Sequence, residues 1–404
     1  MQFHYIGQTK DGKKVDMVVS ASDRFSLAKD LRDTGILPVL IEEVKDKNDI
    51  DIPFLSNIFN NIKLHEKIIF TRNLSGMLTA GLSLYRALTV LEKQTQNKKF
   101  KEILHDILIV IDKGGTLSEG MAKYPKVFST LFVSMVRAGE ESGSLANTLT
   151  EIGVNLEKTY ALNKKIKGAL MYPSIILCAI IIIGILMLVF VVPTLTSTFK
   201  ELNADLPGST KFVIFISDFM ANHALLFVGL LIFIIFCFVY LTRLPKIKIY
   251  TDYIVLRLPV VGNIAQELNS ARTTRTLSSL LTAGVEMVRS LEITGDVLQN
   301  VHYKKIIKDA VTSVQKGETL SSIFKQNTKF YPVMVGEMME VGEETGKLSG
   351  MLIDIATFYE GEVDNKTKDL STIIEPVLMV FIGGAVGFFA VSMITPMYSL
   401  LNNI

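Results

Sequence analysis

The sequence predicts a mainly α-helical, polytopic membrane protein built from two copies of one module. Shifting the chain by 203 positions places the segment around Arg72 onto the segment around Arg275, and a repeat at a fixed offset indicates a duplicated unit. Apolar residues make up 49% of the chain and charged residues 20%, with a mean hydropathy of +0.36. This composition is too apolar for an ordinary soluble protein, so we expect a protein embedded in a bilayer.

Three short motifs recur in both copies without a gap in the register. Thr-Ala-Gly occupies residues 79–81 and 282–284, and Lys-Gly-x-Thr-Leu-Ser occupies residues 113–118 and 316–321. The third motif, Gly-Glu-Glu-x-Gly-x-Leu, supplies Gly139, Glu140, Glu141, Gly143 and Leu145 in the first copy and Gly342, Glu343, Glu344, Gly346 and Leu348 in the second. Each unit is therefore a polar domain followed by a hydrophobic segment.

Residues 1–44 are predicted to form a small N-terminal β-β-α-β domain. Apolar residues alternate on both sides of Asp11 and Gly12, which is typical of a hairpin and its turn. A helix with Ser22 or Asp23 as its N-cap is expected next, followed by a short strand, Val39–Ile41. Residues 45–63 are predicted to be a linker.

Residues 64–168 and 267–370 are predicted to form two homologous cytoplasmic helical bundles of about six helices each. The apolar residues recur at spacings of three and four, which indicates amphipathic helices. Glycine and proline breaks at matching positions divide each copy. Ser83 and Ser118 are candidate N-caps in the first copy.

Three transmembrane helices are predicted at residues 169–193, 223–242 and 371–396. Each contains an apolar run long enough to cross a hydrocarbon core of about 30 Å. Between and beyond them, residues 194–222 are predicted to be an extracytoplasmic loop, 243–266 a cytoplasmic linker and 397–404 an extracytoplasmic tail.

The distribution of lysine and arginine predicts the orientation of these spans, because basic residues are retained on the cytoplasmic side. They precede the first span and follow the second: Lys158, Lys164, Lys165, Lys167, Arg243, Lys246, Lys248 and Arg257. The intervening loop carries Lys200 and Lys211 alone, so we place it outside. Both repeated domains then face the cytoplasm, and the C terminus lies outside. No signal-peptide pattern opens the sequence, so we expect a cytoplasmic N terminus.

The repeated acidic motif has two interpretations. In the first, Gly139 closes one helix in a left-handed conformation, and Ser142, or Thr345 in the second copy, caps the next helix. The motif is then purely structural, and its glutamates suit the positive end of a helix. In the second, the motif also contacts a partner or a cation through Glu140, Glu141, Glu343 and Glu344. No metal-ligand spacing is complete.

The third predicted span contains a candidate packing surface. Gly383 and Gly387 have the spacing that lets two membrane helices approach closely, with simple tolerance of glycine in membranes as the alternative. Glu375, directly before Pro376, is an acidic side chain at the edge of this span. Its carboxylate either extends to the membrane–water interface or makes a functional polar contact with another membrane helix.

Nothing in the sequence supports an enzyme, a cofactor or a nucleic-acid partner. The net charge of +2 gives no reason to expect binding to nucleic acid. The five histidines show no ligand spacing, and residues 342–347 lack the spacing and the terminal Ser or Thr of a phosphate loop. The predicted spans carry almost no ionisable side chains, which argues against a transporter. We therefore expect no catalytic residue, no cofactor and no metal site.

The combination of the three motifs resembles the type II secretion F-protein family. The resemblance covers essentially the whole chain, including the entry to the last span at Glu375 and Pro376. Members of that family are inner-membrane platform proteins of type IV pili and type II secretion systems, with two cytoplasmic domains and three spanning helices. One departure is local, since Pro332 follows Tyr331 in the second copy whereas Pro125 precedes Phe128 in the first.

The resemblance implies a place in the bacterial inner membrane at the base of a filament. It implies binding to a cytoplasmic hexameric assembly or retraction ATPase and movement of pilin or pseudopilin subunits from the bilayer into the filament. Other inner-membrane assembly proteins, membrane lipid and a second copy of the chain are further implied partners. The acidic turns are then expected to meet the ATPase, and the last span a pilin or a second copy. The alternative class is a membrane-bound signalling or receptor scaffold, for which residues 194–222 would be a small ectodomain.

Overall fold

The computed structural model describes residues 2–9, 14–21, 35–43, 62–201 and 206–401, together with Leu27, Leu31 and Asp33. The chain divides into two compact units, Met1–Asn61 and Ile62–Ile404. The second unit contains both copies of the repeat and all the apolar segments that were predicted to span a membrane.

The first unit contains a three-stranded antiparallel sheet. Its strands are β1 (Gln2–Thr9), β2 (Lys14–Ser20) and β3 (Ile36–Glu43), in the order β2-β1-β3. The register between β1 and β3 shifts at Ile6 and Gly7. The predicted turn at Asp11 and Gly12, most of the predicted helix and residues 45–61 of the predicted linker lie outside the described residues. The β-β-α-β unit as a whole therefore stays a prediction.

The first copy of the repeat has six helices within a stretch that is described without a gap, as the sequence predicts. They are α1 (Leu64–Thr79), α2 (Leu84–Gln94), α3 (Lys98–Asp112), α4 (Leu117–Ala122), α5 (Thr130–Glu141) and α6 (Leu145–Leu186). Leu74, Leu88, Leu104 and Leu149 are fully buried at their centre. These residues lie on the apolar stripes of four different helices, so the stripes meet in one core.

Four helices and one π-helical turn lie between the first copy and the second in the described part of the chain. After α6, one π-helical turn (Met187–Val191) leads into α7 (Val192–Glu201). Next come α8 (Gly208–Asn222), α9 (Ala224–Arg243) and α10 (Pro245–Arg257). Residues 194–222, predicted to be an extracytoplasmic loop, contain most of α7 and all of α8, and their place outside the membrane stays a prediction. These two helices pack together through Val192, Phe199 and Val213, which lie in one cluster with Met393.

The second copy repeats the six-helix order. It consists of α11 (Val261–Thr282), α12 (Met287–Val297), α13 (Val301–Gln315), α14 (Leu320–Gln326), α15 (Val333–Glu344) and α16 (Leu348–Leu401). Its buried centre contains Leu277, Leu291, Ile307 and Leu352, each 203 positions after its counterpart in the first copy. The two cores are therefore built from equivalent positions.

The long last helix of each copy runs from its bundle into an apolar segment. Leu145–Phe199 and Leu348–Pro396 are the two helical stretches, among the described residues, that are long and apolar enough to cross a membrane. The pair Gly208–Asn222 and Leu226–Thr242, bent by 101°, makes a third if it is one span. The structure therefore gives two to three spans where the sequence predicts three. The predicted boundaries between bundle and span fall inside continuous helices.

The left-handed glycine of the acidic motif is the second glycine of each copy, and not Gly139 as predicted. Gly143 and Gly346 adopt the left-handed conformation, with φ of 68° and 67°. Gly139 does not, because it lies inside α5 and its role is to allow close packing. A Cβ on Gly139 would lie 2.7 Å from Thr148 Oγ1, and one on Gly342 would lie 2.9 Å from the Cα of Leu348. The first glycine of the motif thus lets the last two helices of each bundle approach.

The predicted helix caps are also partly corrected. Ser83 is the N-cap residue of α2, although its side chain makes no capping hydrogen bond. Thr116, not Ser118, caps α4, because Thr116 forms a reciprocal capping box with Glu119. Ser118 is the second residue of this helix, and its backbone N–H donates to the carboxylate of Glu140.

We predict that Gly342→Ala destabilises the protein by roughly 1–3 kcal/mol, because the added Cβ overlaps the backbone of Leu348. The matched control is Gly350→Ala in α16, where an added Cβ meets nothing within 4 Å. That change is expected to be neutral or stabilising by up to about 1 kcal/mol, because alanine favours a helix. Thermal unfolding of both variants in detergent measures the difference, and equal melting temperatures would contradict this account.

Candidate functional site

The first glutamate of each acidic pair binds a helix N-terminus inside its own bundle. The Glu140 carboxylate accepts hydrogen bonds from the backbone N–H of Leu117 at 2.6 Å and of Ser118 at 3.0 Å. In the second copy, Glu343 accepts from Leu320 at 2.6 Å and from Ser321 at 3.0 Å. The duplication has kept this contact with the same geometry in both copies.

This contact joins two of the motifs found in the sequence. The Thr-Leu-Ser segments begin the short helices α4 and α14, whose first backbone N–H groups have no partner within the helix. A carboxylate satisfies two of these donors and also interacts favourably with the positive end of the helix dipole. Each motif therefore needs the other, which gives a structural reason for their joint repetition.

The hydroxyl residues of the motif close the preceding helix. Ser142 Oγ donates to the carbonyl oxygen of Ala138 at 2.7 Å, and Thr345 Oγ1 donates to that of Val341 at 2.7 Å. Both residues are the C-caps of α5 and α15. Their predicted role as caps of the following helix was wrong, because the left-handed glycine directly after each of them separates them from the next helix.

The second glutamate of each pair faces solvent. Glu141 and Glu344 are exposed, and neither side chain has a hydrogen bond or an ion pair among the described residues. No group of three or more His, Cys, Asp or Glu side chains suited to a metal ion occurs in the described part of the chain. Of the four predicted glutamates, the structure thus gives two an internal role and leaves two free at the surface.

A polar seam between the two copies was not anticipated from the sequence. Asn155 Nδ2 in α6 donates to Ser279 Oγ in α11 at 3.0 Å, in a buried position. Arg272 Nη2 donates to Asn163 Oδ1 at 3.2 Å, and burial lowers the pKa of the Arg272 guanidinium. A cavity of about 310 Å³ lies beside these contacts and is lined by residues of both copies. The seam is therefore hydrogen-bonded and contains open space.

Ion pairs extend the seam toward the apolar segments. Lys165 of α6 lies 2.8 Å from Asp364 Oδ2 of α16, and Lys368 lies 3.2 Å from the same oxygen. The hydrogen bond from Lys165 is the main cause that lowers the pKa of the Asp364 carboxyl. Lys366 also pairs with Glu267 of α11. The Lys165–Asp364 pair links the last helix of the first copy to that of the second, and the Lys366–Glu267 pair joins α16 to α11 within the second copy.

One ion pair occurs in both copies but in different surroundings. Arg275 donates twice to Glu360, with both distances 2.8 Å, and the two side chains are 8% and 15% exposed. The equivalent pair, Arg72 and Glu157, is 75% and 43% exposed, with its atoms 3.3 Å apart. The Arg275–Glu360 pair of the second copy is covered by the first copy. The Arg72–Glu157 pair of the first copy is open to solvent.

A sequence signal for the seam exists in α11, although it is weak. This helix is buried on most of its circumference, and many of its buried side chains are polar: Ser270, Thr273, Thr274, Ser278 and Ser279. A helix without an apolar stripe is not expected to be buried unless it packs against more than one neighbour. That pattern would have indicated that the second copy has an additional contact.

The repeat also corresponds to a known protein family. The model of the family described as "Type II secretion system (T2SS), protein F" matches this chain twice, at residues 70–193 and 273–396. These two ranges are again offset by 203 positions. The chain belongs to the type II secretion protein F family.

Curated relatives extend this match to the whole chain. "Type IV pilus assembly protein PilC" of Thermus thermophilus is 34% identical over 407 residues, covering 100% of this chain and 98% of the relative. The protein of the same name from Myxococcus xanthus is 31% identical and covers 99% of this chain and 95% of the relative. "Type II secretion system protein F" of Vibrio cholerae is 28% identical, with 99% and 98% coverage. Relatives named for both machines are therefore similar over their full length.

The predicted packing residues of this family member lie on an open face of α16. Gly383 and Gly387 are exposed, and a Cβ added to either meets nothing within 4 Å among the described residues. Glu375 is exposed as well, and Pro376 lies inside the helix without ending it. The structure does not bring these residues together with the acidic turns. They form a separate candidate surface.

We predict that Glu140→Ala destabilises the protein by roughly 1.5–3 kcal/mol, because two backbone N–H groups lose a charged acceptor. Glu141→Ala, the change at the neighbouring exposed carboxylate, should alter the free energy of unfolding by no more than about 0.5 kcal/mol. Glu343→Ala and Glu344→Ala provide the same comparison in the second copy. Unfolding curves measured in detergent test all four, and a smaller effect at Glu140 than at Glu141 would refute the assignment.

Proposed function

We propose that this chain is the inner-membrane platform protein of a type IV pilus or type II secretion machine. It couples a cytoplasmic hexameric assembly or retraction ATPase to the insertion of pilin or pseudopilin subunits into a growing filament. The observation that carries this proposal is the continuity of α6 and α16, each of which begins in a bundle core and ends in an apolar span. The names of the relatives support both machines equally.

Coupling requires that motion at the bundles reach the membrane, and the long helices provide a rigid connection. At about 1.5 Å per residue, the 54 residues of α16 extend roughly 80 Å. A rotation or a shift of a bundle therefore moves the membrane part of its own last helix, with no flexible linker between them. The protein transmits force in this proposal, and no catalysis by its own residues is required.

The proposed orientation places both bundles in the cytoplasm of a bacterium. The basic residues near the ends of the spans support it, since they lie on the side of the bundles. The chain then crosses the inner membrane more than once, with its N terminus inside and its C terminus outside. In this orientation the Lys165–Asp364 pair, which precedes the predicted spans in both helices, lies near the cytoplasmic surface of the bilayer.

Two surfaces are proposed for partners. The exposed carboxylates of Glu141 and Glu344 are the part of the acidic turns left available to the ATPase. The open face of α16 at Gly383 and Gly387 is available to the apolar helix of a pilin, to another inner-membrane assembly protein or to a second copy of this chain. Membrane lipid surrounds the remaining apolar side chains.

The proposed partners can be captured from living cells with photocrosslinking side chains at Glu141, Glu344 and Gly387. We expect the ATPase from the first two positions and pilin or pseudopilin from the third, because these surfaces are exposed in the isolated chain. Lys308, exposed on α13, serves as a control position on another face. Mass spectrometry identifies the captured proteins. Capture of neither partner, with the machine expressed and the platform inserted, would contradict the proposed function.

The open face of α16 is tested by Gly383→Leu combined with Gly387→Leu. Bulky side chains at these positions block close approach of another helix, so we expect loss of surface filaments or of secretion. Phe381→Leu, at an apolar position 61% exposed on the side of α16 away from the two glycines, is the matched control and should leave function unchanged. Filament counts are compared at equal platform levels in the membrane. Normal filaments in the double variant would exclude this surface.

A further inference from the structure

The two copies of the repeat contact each other through two different faces. The first copy contributes α5 and α6, including Leu131, Asn155 and Leu156, which we name face A. The second copy contributes α11 and α12, including Ser279, Leu280 and Ile293, which we name face B, and its α16 also packs along α6. Leu280 and Ile293 pack into the hydrophobic core cluster of the first copy. A contact between unlike faces is heterologous, and it leaves one face of each kind unused.

The unused faces are identified by the 203-residue offset. Face A of the second copy contains Met334 and Phe358, and face B of the first copy contains Gly76, Met77 and Val90. The position of Leu156 is held by Tyr359, which is buried in the core of its own copy. Among the described residues, no comparable packing joins α15 or α16 to α1 or α2, so the contact is not reciprocated. Arg72 and Glu157 lie beside the unused face B, and their exposure contrasts with the coverage of Arg275 and Glu360.

Both unused faces carry exposed apolar side chains. On the second copy, Phe358 is 48% exposed and the neighbouring Val333 is 56% exposed. On the first copy, Ile69 is 45% exposed and Tyr85 is 48% exposed. Phe358 and Ile69 stand at the positions of the seam residues Asn155 and Arg272, so their exposure indicates that these faces also become covered.

The side chains at the centre of the unused faces are complementary in size. In the internal contact, Asn155 donates to Ser279. The equivalent positions hold Phe358 and Gly76, and a Cβ added to Gly76 meets nothing within 4 Å. A large aromatic ring opposite a glycine replaces a hydrogen-bonded pair of medium-sized residues. An apolar side chain of this size needs a site without a competing side chain, and Gly76 provides one.

We infer that face A of the second copy binds face B of the first copy of another identical chain. This contact repeats, between chains, the packing that joins the two copies within a chain. The helices α6 and α16 run side by side in the same direction, since Lys165 pairs with Asp364 and Leu162 packs with Val363. Repetition of a heterologous contact generates a ring where the rotation between successive copies closes, and the parallel α6 and α16 place every bundle on the same side of such a ring. The inference assigns a contact surface to the self-association that the proposed function includes. It rests on the proposed function only for the membrane and the cell in which the contact forms.

Thiol crosslinking in membranes tests this contact without requiring filaments. In a background with Cys178→Ala and Cys237→Ala, Gly76→Cys and Phe358→Cys are placed on two differently tagged, co-expressed chains. A short bifunctional thiol reagent is expected to join the two tags in one product of twice the chain mass. Because the contact is heterologous, neither variant expressed alone should give that product.

Two controls show whether the seam is intact and whether the crosslink is specific to the proposed faces. Asn155→Cys combined with Ser279→Cys in one chain should crosslink internally without an increase in mass, which shows that the seam is intact in the membrane. Lys101→Cys, exposed on α3, replaces Gly76→Cys as the off-face partner of Phe358→Cys and should give no product.

The inference is overturned if the Gly76 and Phe358 variants give no mixed product while the internal control reacts, or if the product joins Phe358→Cys to a different protein. Gly76→Arg provides an independent measurement, since a long charged side chain would fill the space opposite Phe358. We expect at least a tenfold loss of self-association for that variant, measured by the native mass of the detergent-solubilised protein. If the photocrosslinking probes at Glu141, Glu344 and Gly387 still capture the ATPase and pilin while the thiol crosslink fails, the platform role remains supported. That result refutes only the contact between chains.

Discussion

The constraint on which the rest of the structure depends is that one helix serves both as the last member of each bundle and as an apolar segment long enough to cross a membrane. The other five helices of each copy pack around the polar end of this helix, α6 or α16. Leu149 and Leu352, at equivalent positions near the start of these helices, are fully buried in the two cores. The bundle therefore cannot move far from its own span without losing its core.

The duplication preserved the interior of the module and changed its surroundings. The glutamate contacts to α4 and α14 have the same distances in both copies, because two unpaired backbone donors impose the same requirement in each. The Arg72–Glu157 pair and the Arg275–Glu360 pair also share their chemistry but differ in exposure. A surface pair contributes little to stability, whereas removing one partner of a covered pair leaves an uncompensated charge. The same residues thus acquire different energetic roles through the seam.

The sequence predicts those features that depend on local pattern and on the repeat. The offset, the six helices per copy and the motif positions follow from spacing alone, and the family model matches at the same offset. Features that depend on tertiary contacts were missed. Nothing local distinguishes Glu140 from Glu141, because what separates them is the position of α4 relative to α5. Likewise, Gly139 and Gly143 are both plausible helix ends until the packing of Thr148 shows which of them must lack a side chain.

The contrast between the two cores and the seam indicates where parts of the protein can move relative to each other. Each core is closely packed around fully buried apolar side chains, and disturbing it carries a large penalty. The seam adds hydrogen bonds, ion pairs and a cavity of about 310 Å³ to the apolar packing of Leu280 and Ile293 against the first copy. Polar contacts of this kind can be exchanged for water or for new partners at smaller cost than apolar packing can be broken. Exchange of the polar contacts along the seam therefore costs less than opening either core. The Lys165–Asp364 pair and the parallel α6 and α16 would carry such motion into the membrane.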